Sequence, residues 1–442
     1  MLDQAYFLSV PEMREKLSAY LIVAILLIGV TGVMYQVSIT GDDDGGGGEY
    51  TGGDYPIDTS KVSYDPQEKS VDHVVDGNNE FSFDLYHKLD GGENLFYSPW
   101  SISTALAMTY EGARNDTREE IGEVFGYPGN ASELRKAYGY LHDGYNKNGS
   151  GYNMSTANSL WVQEDFPIED DYKWLLLNYY FARAENMDFV NDPEGSCDKI
   201  NSWVKNYTNG KIEELVSPGM VDEMTRLILV NAIYFKGLWE NPLSVKDTEN
   251  GTFHTSSGDD VTVPMMYQEG DFNYTETEEF QILQKKYVGN DTSMLFLLPK
   301  DGGLSSVEDS LTYENLKRWR SDIEQTDLQY IKIPKFNMST DYDLKKTLID
   351  MGMPTAFDSQ KADLDGICES RQLFIQFVKH KAYVDVNEKG TEAAAATAVG
   401  VGETAVDPRP MFVADHPFVF IIQDDVTGNI LFMGRVTDPT AG

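Results

Sequence analysis

This 442-residue chain has only two cysteines, Cys197 and Cys368, and its 35 lysines and arginines face 72 aspartates and glutamates. Two thiols cannot build a disulfide framework, and their spacing is not that of a metal site. A single bridge between them is what the sequence leaves open. The formal charge of −37 argues against nucleic acid, anionic lipid surfaces and polyanionic activators, because each basic contact would work against the field of the whole molecule. No run of Lys or Arg offers a local exception. Also missing are H-E-x-x-H, C-x-x-C and G-x-S-x-G, and the histidines (His73, His87, His142, His254, His380, His416) are scattered. Neither independent catalysis nor a cofactor or metal is expected. Gly400-Val401-Gly402-Glu403-Thr404-Ala405 matches the dinucleotide pattern G-x-G-x-x-A. It is rejected because no helix pattern follows, and Pro408 and Pro410 break the place where a phosphate-binding helix would start.

What is present divides the chain unevenly. Leu17 to Ile39 carries no charge and as a helix would be about 34 Å long, enough to span a bilayer. It reads as a membrane anchor or an uncleaved signal, with cleavage and secretion as the alternative. Arg14 and Lys16 precede the run and Asp42, Asp43 and Asp44 follow it, so the positive-inside bias puts residues 1–16 in the cytosol and the remainder outside. Residues 40–67, rich in Gly and Asp, read as a flexible linker, and 68–442 as one large domain. Nine Asn-x-Ser/Thr sites (Asn115, Asn130, Asn148, Asn153, Asn206, Asn250, Asn273, Asn290, Asn337) fit an exported face.

Within that domain Ser98-Pro99 predicts a helix cap with proline at the first helical position and a stop near Gly112, and Thr117 with Glu120 reads as a capping box. Leu227 to Phe235, Met294 to Leu298, Phe418 to Ile422 and Ile430 to Val436 suit buried strands. Helices early and strands late predict an α+β fold. Val378, His380, Ala382, Val384 and Val386 share one face of a strand that should end near Val386. Beyond it, Glu388-Lys389-Gly390-Thr391-Glu392-Ala393-Ala394-Ala395-Ala396-Thr397-Ala398-Val399 keeps the same parity with almost entirely small side chains. Such a segment can hang as a solvated loop or slot into a sheet without clash, as a loop-insertion switch requires.

Glu388 to Ala394, with His416-Pro417-Phe418-Val419-Phe420 and Leu431-Phe432-Met433-Gly434-Arg435-Val436, resembles the serpins. Asn94 to Ile102, Asn201-Ser202-Trp203-Val204 with Thr208 to Ile212, and Leu229 to Trp239 resemble further serpin blocks, in serpin order, so the resemblance covers most of the chain. A prokaryote-like, monomeric member is expected, with anchoring or export read from Leu17 to Ile39 and not from the family. The implied fold has about nine helices and three β-sheets with an exposed reactive-centre loop, and the implied activity is trapping of serine proteases as a covalent complex.

The resemblance also assigns residues. The hinge would be Glu388, Gly390, Thr391, Ala393, Ala395 and Thr397; proline or a large charge there would remove a ladder donor or bury a charge. Counting forward from Glu388 puts the reactive bond at Thr404-Ala405, which suits elastase-like or subtilisin-like proteases. Counting back from Pro417 gives Val406-Asp407, and Glu403 before the bond would select glutamyl-specific proteases. Arg409 is poor trypsin bait because Pro410 follows it. Ser98, Ser101, Asn231 and His380 resemble a shutter that controls sheet opening, and Trp239, Lys335 and Glu388 resemble the breach where insertion begins. Taken without the family, His380 reads as a satisfied core histidine, Trp239 as a core aromatic and Glu388 with Lys335 as a surface ion pair. A non-inhibitory serpin (chaperone, carrier or storage protein) and a tethered adhesion or receptor domain are the alternatives.

Overall fold

The computed structural model describes residues 64–89, 91–145, 152–301, 303–369, 373–391 and 409–441. Among these are nine α-helices and fifteen strands. The chain runs α1 (Glu68–Lys88), β1 (Leu95–Tyr97), α2 (Pro99–Gly112), α3 (Asn115–Phe125), α4 (Ala131–Tyr145), β2 (Tyr152–Gln163), α5 (Asp170–Tyr179), β3 (Arg183–Met187), α6 (Pro193–Tyr207) and β4 (Leu227–Leu238). It continues with β5 (Glu249–His254), β6 (Asp260–Glu276), β7 (Phe280–Lys286), β8 (Thr292–Pro299), α7 (Ser305–Glu308), α8 (Tyr313–Asp322), β9 (Glu324–Pro334), β10 (Phe336–Asp343) and α9 (Lys345–Met351). Last come β11 (Phe377–Asn387), β12 (Gly390–Thr391), β13 (Phe412–Val413), β14 (Phe418–Asp424) and β15 (Ile430–Val436).

Local chemistry explains the starts. The Ser98 hydroxyl accepts from the Ser101 N–H, Pro99 takes the first helical position, and α2 ends at Gly112, as the sequence predicts. The Thr117/Glu120 capping box is a misreading, because α3 already begins at Asn115. Thr117 Oγ1 instead accepts from the Asp363 N–H at 3.0 Å, and the Glu120 carboxylate takes the Thr355 N–H and hydroxyl at 2.8 and 2.6 Å. Partners more than 230 residues away won over the local ones. Tyr64, in the stretch read as linker, donates to the Asn178 carbonyl at 2.6 Å and lies 6.1 Å from the rings of Tyr179 and Phe181. Among the described residues no helix is long and apolar enough to cross a membrane; residues 17–39 lie outside them.

The strands form two hydrogen-bonded sheets. The three expected sheets merge into two because the 17-residue β6 pairs with β5, β7 and β9 together and joins their ladders. The six-stranded main sheet has β10, β11, β4, β2 and β3 side by side, with short β12 between β11 and β4 at one end. β11 and β4 run parallel from Phe377/Ile228 to Tyr383/Tyr234 and then part. The nine-stranded sheet packs on one face of the main sheet through aromatic pairs such as Phe235 with Phe432 (5.6 Å) and Phe336 with Phe420 (5.4 Å). Across the other face α6 buries Ile200 and Val204 against Trp161, Ile228 and Val230. It covers only part of the sheet: β4 is buried throughout up to Phe235, whereas Lys236 and Leu238 are exposed. The end that holds β12 is therefore the uncovered one.

Candidate functional site

The strand that begins at Phe377 ends at Asn387, within a residue of the expected stop, and its chain reverses at Glu388-Lys389. Gly390 and Thr391 then run antiparallel to both neighbours. Val386 faces Thr391 and Asn387 faces Gly390 on one side, while Leu238 faces Gly390 and Gly237 faces Thr391 on the other. Gly390 has φ +153°, and a Cβ there would stand 1.9 Å from the Gly237 carbonyl oxygen, so only glycine fits the gap. Thr391 is fully buried, with its hydroxyl 2.8 Å from the Tyr287 hydroxyl. Of the residues expected to form the hinge, Gly390 and Thr391 are thus already sheet, while Glu388 stands in the turn before them.

Three groups tie down the turn before them. The Trp239 indole N–H donates to the Asn387 carbonyl at 2.9 Å, its backbone N–H to the Lys389 carbonyl at 2.8 Å, and the Leu243 N–H to the Glu388 carbonyl at 2.8 Å. Trp239 stacks on Tyr287 at 4.6 Å. The Glu388 carboxylate lies 3.0 Å from Lys335 Nζ and accepts from the Thr248 hydroxyl at 2.9 Å. Its side chain is 3% exposed against 31% for Lys335, so this is not the surface ion pair that composition alone suggests. Burial works to raise the Glu388 pKa, yet its own backbone N–H, Lys335 and Thr248 outweigh that and hold it below the usual range.

Farther along the seam, where β11 and β4 are joined, lie Ser98, Ser101, Asn231 and His380, the four residues expected to form the shutter. His380 Nδ1 meets the Asn231 side-chain oxygen, and His380 Nε2 accepts from the Ser98 N–H at 3.1 Å. The Asn231 amide donates to the Ser101 carbonyl at 2.7 Å, and the Ser98 hydroxyl donates to the Leu431 carbonyl at 2.6 Å. Because Nε2 accepts a backbone N–H, the imidazole is neutral with its proton on Nδ1. Full burial pushes its pKa down to about 3. The network bridges β11, β4, the start of α2 and β15, so parting β11 from β4 breaks the His380–Asn231 contact. Sequence reasoning missed Asn158 on β2, whose oxygen accepts from the Asn231 amide at 2.5 Å and from the Ser101 hydroxyl at 3.3 Å. Its signal was a polar residue inside a buried strand. Tyr287, the partner of Thr391, carried no such signal.

At Arg409, where the described residues resume, the guanidinium pairs with Asp327 at 2.8 Å, the Pro410 carbonyl accepts from the Gln329 N–H at 2.9 Å, and Phe412–Val413 pairs with β9. Ala393, Ala395, Thr397, Glu403, Thr404, Ala405 and Val406 lie outside the described residues. Cys197 and Cys368 are both buried and unbridged, so no disulfide constrains the sheet.

Gly390 and Thr391 thus pair between β11 and β4 where those parallel strands part, with the anchored Glu388–Lys389 turn on one side and the buried His380–Asn231 network on the other. The sequence pattern of the Serpin (serine protease inhibitor) family matches residues 76–439, and the chain belongs to that family. It is 39% identical over 375 residues to an uncharacterized serpin-like protein of Methanosarcina mazei, covering 83% of this chain and 87% of that one. It is likewise 39% identical over 381 residues to the leukocyte elastase inhibitor of Bos taurus, covering 84% and 100%. Uncleaved ovalbumin matches with a TM-score of 0.73 at 32% identity, covering 83% of this chain and all of that one. The family consists in general of protease inhibitors rather than enzymes.

Proposed function

We propose that this protein inhibits serine-type endopeptidases as a suicide substrate, on the extracellular side of a membrane to which residues 17–39 anchor it, or secreted if that segment is cleaved. The reading rests on β12. Gly390 and Thr391 are paired on both sides where β11 and β4 part, at the end of the seam along which those strands are joined from Phe377/Ile228 to Tyr383/Tyr234. Carrying that register forward sets Ala393 between Val384 and Phe235, Ala395 between Ala382 and Ile233, and Thr397 between His380 and Asn231. Small side chains pass between the strands, and the Thr397 hydroxyl arrives where the shutter contact has parted.

The chemistry belongs to the protease. Its serine oxygen attacks the Thr404 carbonyl, the amine of Ala405 leaves, and the freed strand inserts while still esterified. Insertion exchanges the parallel β11–β4 ladder for two antiparallel ones, a net gain of about ten main-chain hydrogen bonds at ~1 kcal/mol each. Thirteen residues at ~3.3 Å carry the acyl-enzyme roughly 40 Å from the hinge. That work is enough to distort an active site.

Thr404 before the bond suits the small pockets of elastase-like or subtilisin-like enzymes, in keeping with the elastase inhibitor among the relatives; Glu403 there would suit a glutamyl-specific one. Arg409 is spent on Asp327 and is not the bait. Incubation with an elastase-like or subtilisin-like protease should yield a complex that survives denaturant, with a new amino terminus at Ala405, whereas a glutamyl-specific protease cutting after Glu403 would leave Thr404 as the new terminus. Cleavage without any such complex overturns inhibition and leaves a carrier, chaperone or storage role.

A further inference from the structure

Lys285 stands on β7 in the nine-stranded sheet, opposite Met294 of β8, and is 5% exposed. Its Nζ donates to the Asn241 carbonyl at 3.3 Å and to the Gln268 side-chain oxygen of β6 at 3.0 Å. The ammonium lies 5.6 Å from the Trp239 ring centre and 5.8 Å from that of Phe272. Neither hydrogen-bond partner carries charge. The carboxylates on the elements packed against it, Glu240 after β4 and Asp260, Glu269, Asp271 and Glu276 on β6, are exposed and make no ion pair with it. Of the titratable tyrosines on β6, Tyr267 bonds to Glu269 and Tyr274 to Glu276. β8 carries no titratable group. A cation taken from water with no counter-charge is a cost in the folded state.

The cost sits at a joint. Trp239 follows β4 in the main sheet, whereas Lys285 belongs to the other sheet. The two are linked where Trp239 bridges Tyr287 and the Glu240 N–H donates to the Lys286 carbonyl at 2.9 Å. Trp239 is also the clamp on the Asn387–Lys389 turn. We propose that Lys285 is a positioning residue for loop insertion: it is a destabilised group held under Trp239, and parting β4 from β11 lifts Trp239 away and returns the amine to water. This rests on the inhibitory reading above. It makes Lys285 part of what keeps the closed sheet easy to open.

The sign of its pH dependence follows. Burial pushes the amine from its ordinary 10.5 down to about 7. The opened state binds the proton below about 10.5 and the closed state only below about 7, so between these values opening takes up a proton. Falling pH then favours opening by up to about tenfold per unit, and below about 7 the effect is complete.

The test uses the full chain and a synthetic peptide of residues Thr391–Thr404, whose uptake into the sheet reads the rate of opening, followed on native gels from pH 7 to 9.5. Wild type should slow as pH rises. Lys285→Met should take up peptide at least tenfold more slowly at pH 7.5 and lose the pH dependence, with Lys285→Gln as the second variant if Met does not fold. A flat wild-type profile, or a variant that keeps the wild-type slope, overturns the proposal. A sloped profile in a protein that traps no protease supports the role of Lys285 in opening and faults the inhibitory reading alone.

Discussion

His380 has to be neutral to accept from the Ser98 N–H, since a proton on Nε2 would leave that N–H facing a donor. His142 on α4 is in the same position, buried 5.1 Å from the Trp100 ring, with its pKa likewise pushed down to about 3 by burial. In the unfolded chain both titrate near 6.5. The folded state is therefore most stable above that value and loses stability as pH falls from about 6.5 toward 3, by about 2 kcal/mol per histidine at pH 5. His416 opposes this. Its pKa is raised by Asp415 and the Pro299 carbonyl against the pull of burial, so its contribution is present at low pH and is lost as pH rises through that value. Melting temperatures of wild type should fall between pH 7 and 5, and His142→Gln should flatten the fall. Equal slopes would contradict a buried neutral His142. His380→Ala removes the acceptor for Ser98 and a partner of Asn231, at a cost of about 2–4 kcal/mol. It should melt earlier and form polymers on size exclusion; wild-type behaviour in both would refute the shutter.

At this scale the sequence was legible where parity and family position agreed. His380, Asn231, Ser98, Ser101, Trp239, Lys335 and Glu388 all come together in two clusters. Asn158, Tyr287 and Lys285 did not stand out, because each acquires its role from a partner on another strand. Spacing along the chain carries no trace of such a partner.

β12 is an element of two residues, and its sequence is set by the space around it. Gly390→Ala would drive a methyl into the Gly237 carbonyl and expel β12 from the gap. We expect the variant to be cut by target protease with little stable complex, read as the ratio of cleaved chain to complex on denaturing gels. Thr391→Arg should do the same more strongly, since it buries an unpaired charge and breaks the contact with Tyr287. A wild-type ratio in both variants would remove β12 from the mechanism. Elements long enough to show a period were legible in advance: β4, β8, β11, β14, β15 and α2 lie where alternation, apolar runs and the Ser98 cap put them. The start of α3 was not, because Thr117 and Glu120 serve the segment around Thr355 and Asp363 instead of their own helix end.

For the whole molecule the decisive quantity is the difference between two folded forms. The uncut chain leaves β11 and β4 joined by one parallel ladder and splayed at one end. The cut chain, with its loop inserted, should melt far higher than the intact one by calorimetry or circular dichroism. An unchanged melting temperature would mean that no energy is stored. An α+β fold with about nine helices was foreseeable from element order and family resemblance; that the long β6 fuses expected sheets into one ladder was not, since sequence shows a strand's length but not how many neighbours share it.

The pairing of Gly390 and Thr391 also bears on timing. Starting a strand is the slow event, because its first contacts order the chain before any ladder rewards them, whereas each later residue adds to an existing template. Here the nucleus exists before any protease arrives. On the inhibitory reading proposed above, only zipping would remain after the cut, and it would compete with the single water molecule that would free the enzyme. The clock of such a trap would start with its first tooth already engaged.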